Sequence, residues 1–163
     1  MLLIDQPKPR ITWAIRKFAN QAAYEAGELM APPVAFGPNL MLDEGAALLA
    51  SLLIGGAGTP FSNANARLGV GDDATAAAAG QTGLQAVANK AYVAMEVGYP
   101  QQAGGTLTWR AVFDGNTANH AWQEFTVANG ADDTAVNLNR KVSDQGTKAL
   151  GQVWTLDLQI TFA

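Results

Sequence analysis

The ten residues VWTLDLQITF, Val153 to Phe162, alternate strictly between apolar and polar side chains. Trp154, Leu156, Leu158, Ile160 and Phe162 fall on one side of an extended chain, and Thr155, Asp157, Gln159 and Thr161 on the other. Successive side chains of a strand point to opposite faces, so this period of two predicts a β-strand with one face on a core. One amphipathic strand cannot bury its apolar face alone, and the chain must supply others. TLTWRAVF aligns Leu107, Trp109, Ala111 and Phe113 after a Gly104-Gly105 turn signal, and YVAMEVGY aligns Val93, Met95 and Val97. HAWQEFTVAN follows a turn at Gly115-Asn116, and VNLNRKV follows a loop of Asn, Gly and Asp. Five strands at short spacing, joined by Gly/Asn turns, predict a mainly β fold: an antiparallel β-sandwich or barrel.

Between Asn39 and Ile54 the period changes. Leu48, Leu49, Leu52 and Leu53 recur at helical spacing, Asp43 and Glu44 suit a first turn, and Gly55-Gly56 supply a stop. One α-helix over about 43–54 is predicted inside a β-rich domain spanning residues 39–163. Residues 1–38 read differently, because they hold five of the seven prolines. Within them ITWAIRKF has strand alternation, with proline on both sides to block ladder extension. These residues are expected to form an extended amino-terminal arm that lies against its own domain or a neighbour's. Ile11, Trp13, Ile15 and Phe18 are its candidate partner contacts, ordering as they bind.

The stretch ARLGVGDDATAAAAGQTGL, Ala66 to Leu84, superficially resembles a cofactor loop. A dinucleotide fingerprint would place Asp72 and Asp73 where a pyrophosphate must sit, and no βαβ pattern follows. A phosphate-binding Gly-Lys-Ser/Thr is missing, and DDATAAAAG lacks the alternating oxygen ligands of a calcium loop. The expectation is a strand end at Gly69–Gly71 running into a loop of small residues. His120 is the single histidine and cysteine is absent, which removes the usual zinc donors and any disulfide. His120 reads as a turn residue. Glu124, between Trp122 and Phe125, could be a raised-pKa acid among aromatics, but reads rather as the partner of an arginine such as Arg67 or Arg140, and the four tryptophans 13, 109, 122 and 154 as core. No catalytic, cofactor-binding or metal-ligating residue is assigned.

Charged residues make up only 15% of the chain, against roughly 25% in ordinary soluble domains. A surface so poor in charge suits a protein covered by partners. The net charge of −4 gives no electrostatic reason to bind nucleic acid or an anionic membrane. The start Met1-Leu2-Leu3-Ile4 lacks a signal-peptide pattern, so synthesis in the cytoplasm is expected.

The ordered set NLMLDEGAALLASLLIGG, FSNANARLGVGDDATAAAAGQTGLQA, GTLTWRAVFDGNTANHAWQEFTVAN and LNRKV…GTK…GQVWTLDLQITF resembles a family of small bacteriophage virion proteins, labelled tail or minor tail proteins. GVGD…QTxL with a later WxE strand is also similar to the amino-terminal collar domain of tail fibres. The resemblance covers Asn39 to Phe162. It implies no catalytic residues, and a fold-determining role for Asn39, Gly69, Gly71, Asp72, Gln81, Leu84, Trp122, Glu124 and Arg140. A fibre would continue into a shaft, whereas this sequence stops at Ala163. The resemblance therefore implies a non-enzymatic virion protein, here expected to be a capsid decoration (cement) protein that binds the outer shell and stabilises it through its arm, with a minor tail or baseplate/tail-fibre attachment protein as the alternative. Expected partners are the major capsid protein or tail proteins and further copies of itself, a trimer being one arrangement, located in the virion.

Overall fold

The computed structural model describes residues 9–162. In chain order it contains β1 (Arg10–Phe18), α1 (Gln21–Ala26), β2 (Val34–Phe36), β3 (Leu40–Met41), α2 (Asp43–Leu53), β4 (Arg67–Gly71) and β5 (Lys90–Ala94). These are followed by β6 (Gln101–Ala103), β7 (Thr106–Phe113), β8 (Glu124–Ala128), β9 (Asn139–Val142) and β10 (Val153–Thr161). The strands form two five-stranded antiparallel sheets, in the orders β2-β1-β10-β7-β6 and β3-β9-β8-β4-β5. This is the β-sandwich that the alternation predicts.

The core lies between the sheets. Trp13, Ile15, Trp109, Ala111, Phe113, Leu156 and Leu158 of the first sheet pack with Leu68, Val70, Phe125 and Val127 of the second. Trp122, from the segment between β7 and β8, meets Phe113 and Trp154 edge-on, with ring centroids 4.7 and 4.8 Å apart. All four tryptophans are buried, as the sequence suggests.

The separate arm is not what forms. Over its described residues, 9–38, the segment belongs to the sandwich. β1 pairs with β10 along its whole length, from Arg10 opposite Thr161 to Phe18 opposite Val153. On its other side it pairs with β2, Trp13 lying opposite Phe36. Trp13 and Ile15 are fully buried in the core, and Phe18 is buried on the opposite face of the strand, where Tyr24 of α1 packs edge-on against it. Three of the four proposed partner contacts are therefore spent inside the molecule, and Ile11 is half-buried. The physical reason is β10, whose apolar face and free backbone groups offer an intramolecular partner for the same alternation. The boundary at residue 38 falls within one sandwich. Residues 1–8 lie outside the described part of the chain.

Further expectations change. A second helix, α1, starts at Asn20, whose side chain accepts from the Ala23 N–H. On β10 the polar face is not free: Thr155 and Asp157 are buried, while Phe162 is exposed. Asp157 is gripped by Arg110 through bonds of 2.7 and 2.6 Å and by Arg16 at 3.0 Å. Val97, placed by its spacing on the apolar face of a strand, is exposed because β5 ends at Ala94.

Helix α2 matches its predicted range within one residue at its end. It rests on the chain before β9 through Gly45, where a Cβ would overlap the backbone of Leu138 and the Asn137 carbonyl. Gly45→Ala should thus push the helix off its seat and destabilise the domain by about 1–3 kcal/mol, the range of overpacked sites. An unchanged denaturant midpoint would show that the helix can shift freely.

Candidate functional site

The Ala66–Leu84 stretch resolves into scaffold. β4 is an interior strand between β5 and β8, and its last residue, Gly71, lies opposite Glu124. A Cβ on Gly71 would collide with the Glu124 carboxylate, so glycine here makes room for a buried charge. Glu124 Oε2 accepts from Arg140 Nε at 2.8 Å and from the Gln85 N–H at 2.9 Å, while Oε1 accepts from the Ala86 N–H at 2.8 Å. Arg140 also donates to the Thr75 carbonyl (2.8 Å), Gln81 Oε1 (3.1 Å) and Asp73 Oδ1 (3.2 Å). Hydrogen bonds from the Thr75 backbone and hydroxyl, with the nearby Arg140, hold the Asp73 carboxyl below its ordinary range.

The pairing of Glu124 with an arginine is thus confirmed, and the arginine is Arg140. Both side chains are wholly buried, and together they tie residues 73–86 to β8 and β9. Several residues singled out by the family resemblance meet here or nearby: Leu84 and Trp122 are buried, and Asp72 accepts from Asn89 at 2.7 Å. Every polar atom of the Glu124–Arg140 pair faces protein, which leaves it no open side for a substrate. His120 sits in the segment between β7 and β8 with Nδ1 2.8 Å from the Ala121 carbonyl. No group of three or more His, Cys, Asp or Glu side chains suited to a metal occurs among the described residues.

An apolar groove of about 470 Å³ at one end of the sandwich does have an open side. Ile11, Leu49, Leu52, Phe61, Trp109 and Phe162 are among its walls. α2 forms one side and the ends of β1, β7 and β10 the other, so the core is uncovered where the two sheets part. At the end of α2, directly after the wall residue Leu52, Leu53 and Ile54 are 86% and 87% exposed, and Leu40, Met41 and Phe162 are also exposed. Asn39 is also among the lining residues. The groove is therefore an apolar trough, which fits a short apolar peptide segment.

Of the predicted contacts only Ile11 reaches this groove. Sequence reasoning missed the rest because Leu49 and Leu52 read as an ordinary core stripe and Phe61 stands in a loop. The available signal was LLASLLI, whose apolar residues run past a single helical face at Leu53 and Ile54. No helix among the described residues is long and apolar enough to cross a membrane. No protein-family model, curated protein or solved structure matches the chain.

Proposed function

We propose that this chain is a non-enzymatic structural protein of a bacteriophage virion, of the capsid decoration type, attaching through the open end of its sandwich. The observation that carries the reading is the apolar groove, walled by Leu49, Leu52 and the exposed Phe162, with the exposed Leu53 and Ile54 at the end of the same helix. A patch of this kind on a chain poor in charge is a protein-binding surface in waiting. Its occupant in this reading is an apolar segment of the major capsid protein. Many copies on a shell lattice would each add a modest interface and stabilise the shell by avidity. The motif resemblance to minor tail proteins supports a second reading, in which the same groove seats a tail or baseplate component.

Copy number in purified virions separates the two. Abundance comparable to the major capsid protein, with labelled protein spread over the shell in micrographs, supports decoration. A few copies at one vertex support the tail reading, and absence from the particle defeats both. The end of α2 is tested by the double variant Leu53→Lys/Ile54→Lys. Both residues are exposed, so the melt of the free protein should move by no more than about 0.5 kcal/mol. Loss of two apolar anchors at about 1.4 kcal/mol or more should lower incorporation at least about tenfold. Normal incorporation of the folded variant would remove this end of α2 from the interface.

A further inference from the structure

Away from the groove, the segment joining β7 to β8 and the segment joining β9 to β10 run antiparallel and are held together by backbone hydrogen bonds. The Trp122 N–H donates to the Gly146 carbonyl at 2.9 Å, the Gln145 N–H to the Trp122 carbonyl at 2.9 Å, and the Lys148 N–H to the His120 carbonyl at 3.1 Å. Ala121 and Thr147 form a bridge pair between the two. On this framework the Lys148 side chain turns inward until the residue is 1% exposed. Its Nζ donates to the Asp114 backbone carbonyl at 2.6 Å and to Asn119 Oδ1 at 2.7 Å. The Asn119 amide is itself oriented, because its Nδ2 donates to the Gly115 carbonyl at 2.9 Å.

A buried lysine normally meets a carboxylate. Here, among the described residues, no carboxylate oxygen comes within ion-pair distance of Lys148. Two neutral carbonyl oxygens are poor compensation for a desolvated ammonium, so the site eases loss of its proton. Burial pushes the Lys148 pKa down, with the Asp114 charge opposing. Once deprotonated, Nζ is a nucleophile, and the Asn119 amide carbonyl carbon is held next to it.

We propose that Lys148 and Asn119 become joined by an intramolecular isopeptide bond. Nζ attacks Cγ of Asn119, the Nζ–Cγ bond forms and the Cγ–Nδ2 bond breaks. One Nζ proton passes to the departing nitrogen, which leaves as ammonia. The exchange is redox-neutral and needs no co-reactant. Cγ is one bond from the oxygen that Nζ already touches, so small side-chain rotations bring the pair to the near-attack separation of about 3–3.5 Å. The product is a covalent staple between the β7–β8 and β9–β10 connections, closing a loop between residues 29 apart in sequence. It would lock the end of the sandwich that holds Trp122 and Trp154.

Intact-protein mass spectrometry of the wild-type chain tests this directly. The expected mass is lower than the sequence requires by one ammonia, and proteolysis should yield a branched peptide joining Asn119 to Lys148. Lys148→Met and Asn119→Ala should each restore the full mass. The full sequence mass in wild-type protein, after prolonged incubation of the native fold above neutral pH, overturns the proposal. So does a deficit that persists in both variants. If either variant fails to fold, the wild-type mass and peptide map still decide between a bond and a plain hydrogen bond.

Discussion

Deleting residues 1–18 should leave a chain that no longer folds cooperatively, and Trp13→Ala alone should cost about 3–5 kcal/mol. β1 lies inside its sheet, so its removal strips β10 of one neighbour and β2 of its partner. Leu156 and Leu158, now fully buried, would lie under an open edge of unpaired backbone groups. Trp13 stacks on Phe36 at 6.4 Å and tilts against Phe125 at 5.9 Å, so it bridges the two sheets. Truncating it leaves a void in the middle of the core, next to a single-domain stability of about 5–15 kcal/mol. Denaturant titration followed by tryptophan fluorescence and circular dichroism reads both effects. A truncated chain that melts cooperatively at the wild-type midpoint would mean that residues 10–18 are dispensable, as a true arm would be.

The second large effect belongs to the buried pair. Arg140→Ala or Glu124→Ala should each destabilise the domain by about 3–5 kcal/mol, because either change strands a charge in the interior. The loss of Glu124 also strips the Gln85 and Ala86 N–H groups of their acceptor, and the loss of Arg140 frees the Thr75 carbonyl and Gln81. The double variant Glu124→Leu/Arg140→Met should recover much of the stability, since no unpaired charge remains. It should still lose order in residues 73–86, because the hydrogen bonds that hold that stretch are gone. Hydrogen exchange at Gln85 and Ala86 separates the two effects: accelerated exchange in the double variant with a near wild-type melt is the expected result. Single variants that melt like wild type would show that the pair adds nothing to the fold.

The legible part of this fold was local. Alternation marked β7 and β10, and the change of period with its Gly55-Gly56 stop marked α2. The reading of Glu124 as an arginine's partner came from chemistry, because a carboxylate between two aromatic residues is either paired or held neutral, and the structure pairs it. The candidate site was far less legible. Leu52 and Phe61 carry no mark distinguishing a groove wall from core, since both are apolar in either case. Phe162 shared the phase of β10 but lies beyond its last paired residue, so periodicity placed it inside and the strand end placed it outside.

Proline content misled the reading of residues 1–38 for a related reason. Pro9 stands before the ladder of β1 and Pro32 and Pro33 before β2, so they delimit strands without displacing them from the sheet. Likewise the polar face of β10 looked solvent-facing because Asp157 is charged, yet Arg16, 141 residues away along the chain, and Arg110 close over it.

What the sequence determined by itself is the longer strands, the longer helix and most of their apolar faces. Those properties rest on the spacing of side chains a few residues apart. Only the tertiary structure decided that β1 pairs with β10, that Arg140 rather than Arg67 meets Glu124, and that the sandwich is left open beside α2. Each of these is a choice among partners separated by long stretches of chain. Hydrophobic burial is non-directional and any apolar strand face satisfies any other, so that choice is made by the packing of the whole molecule.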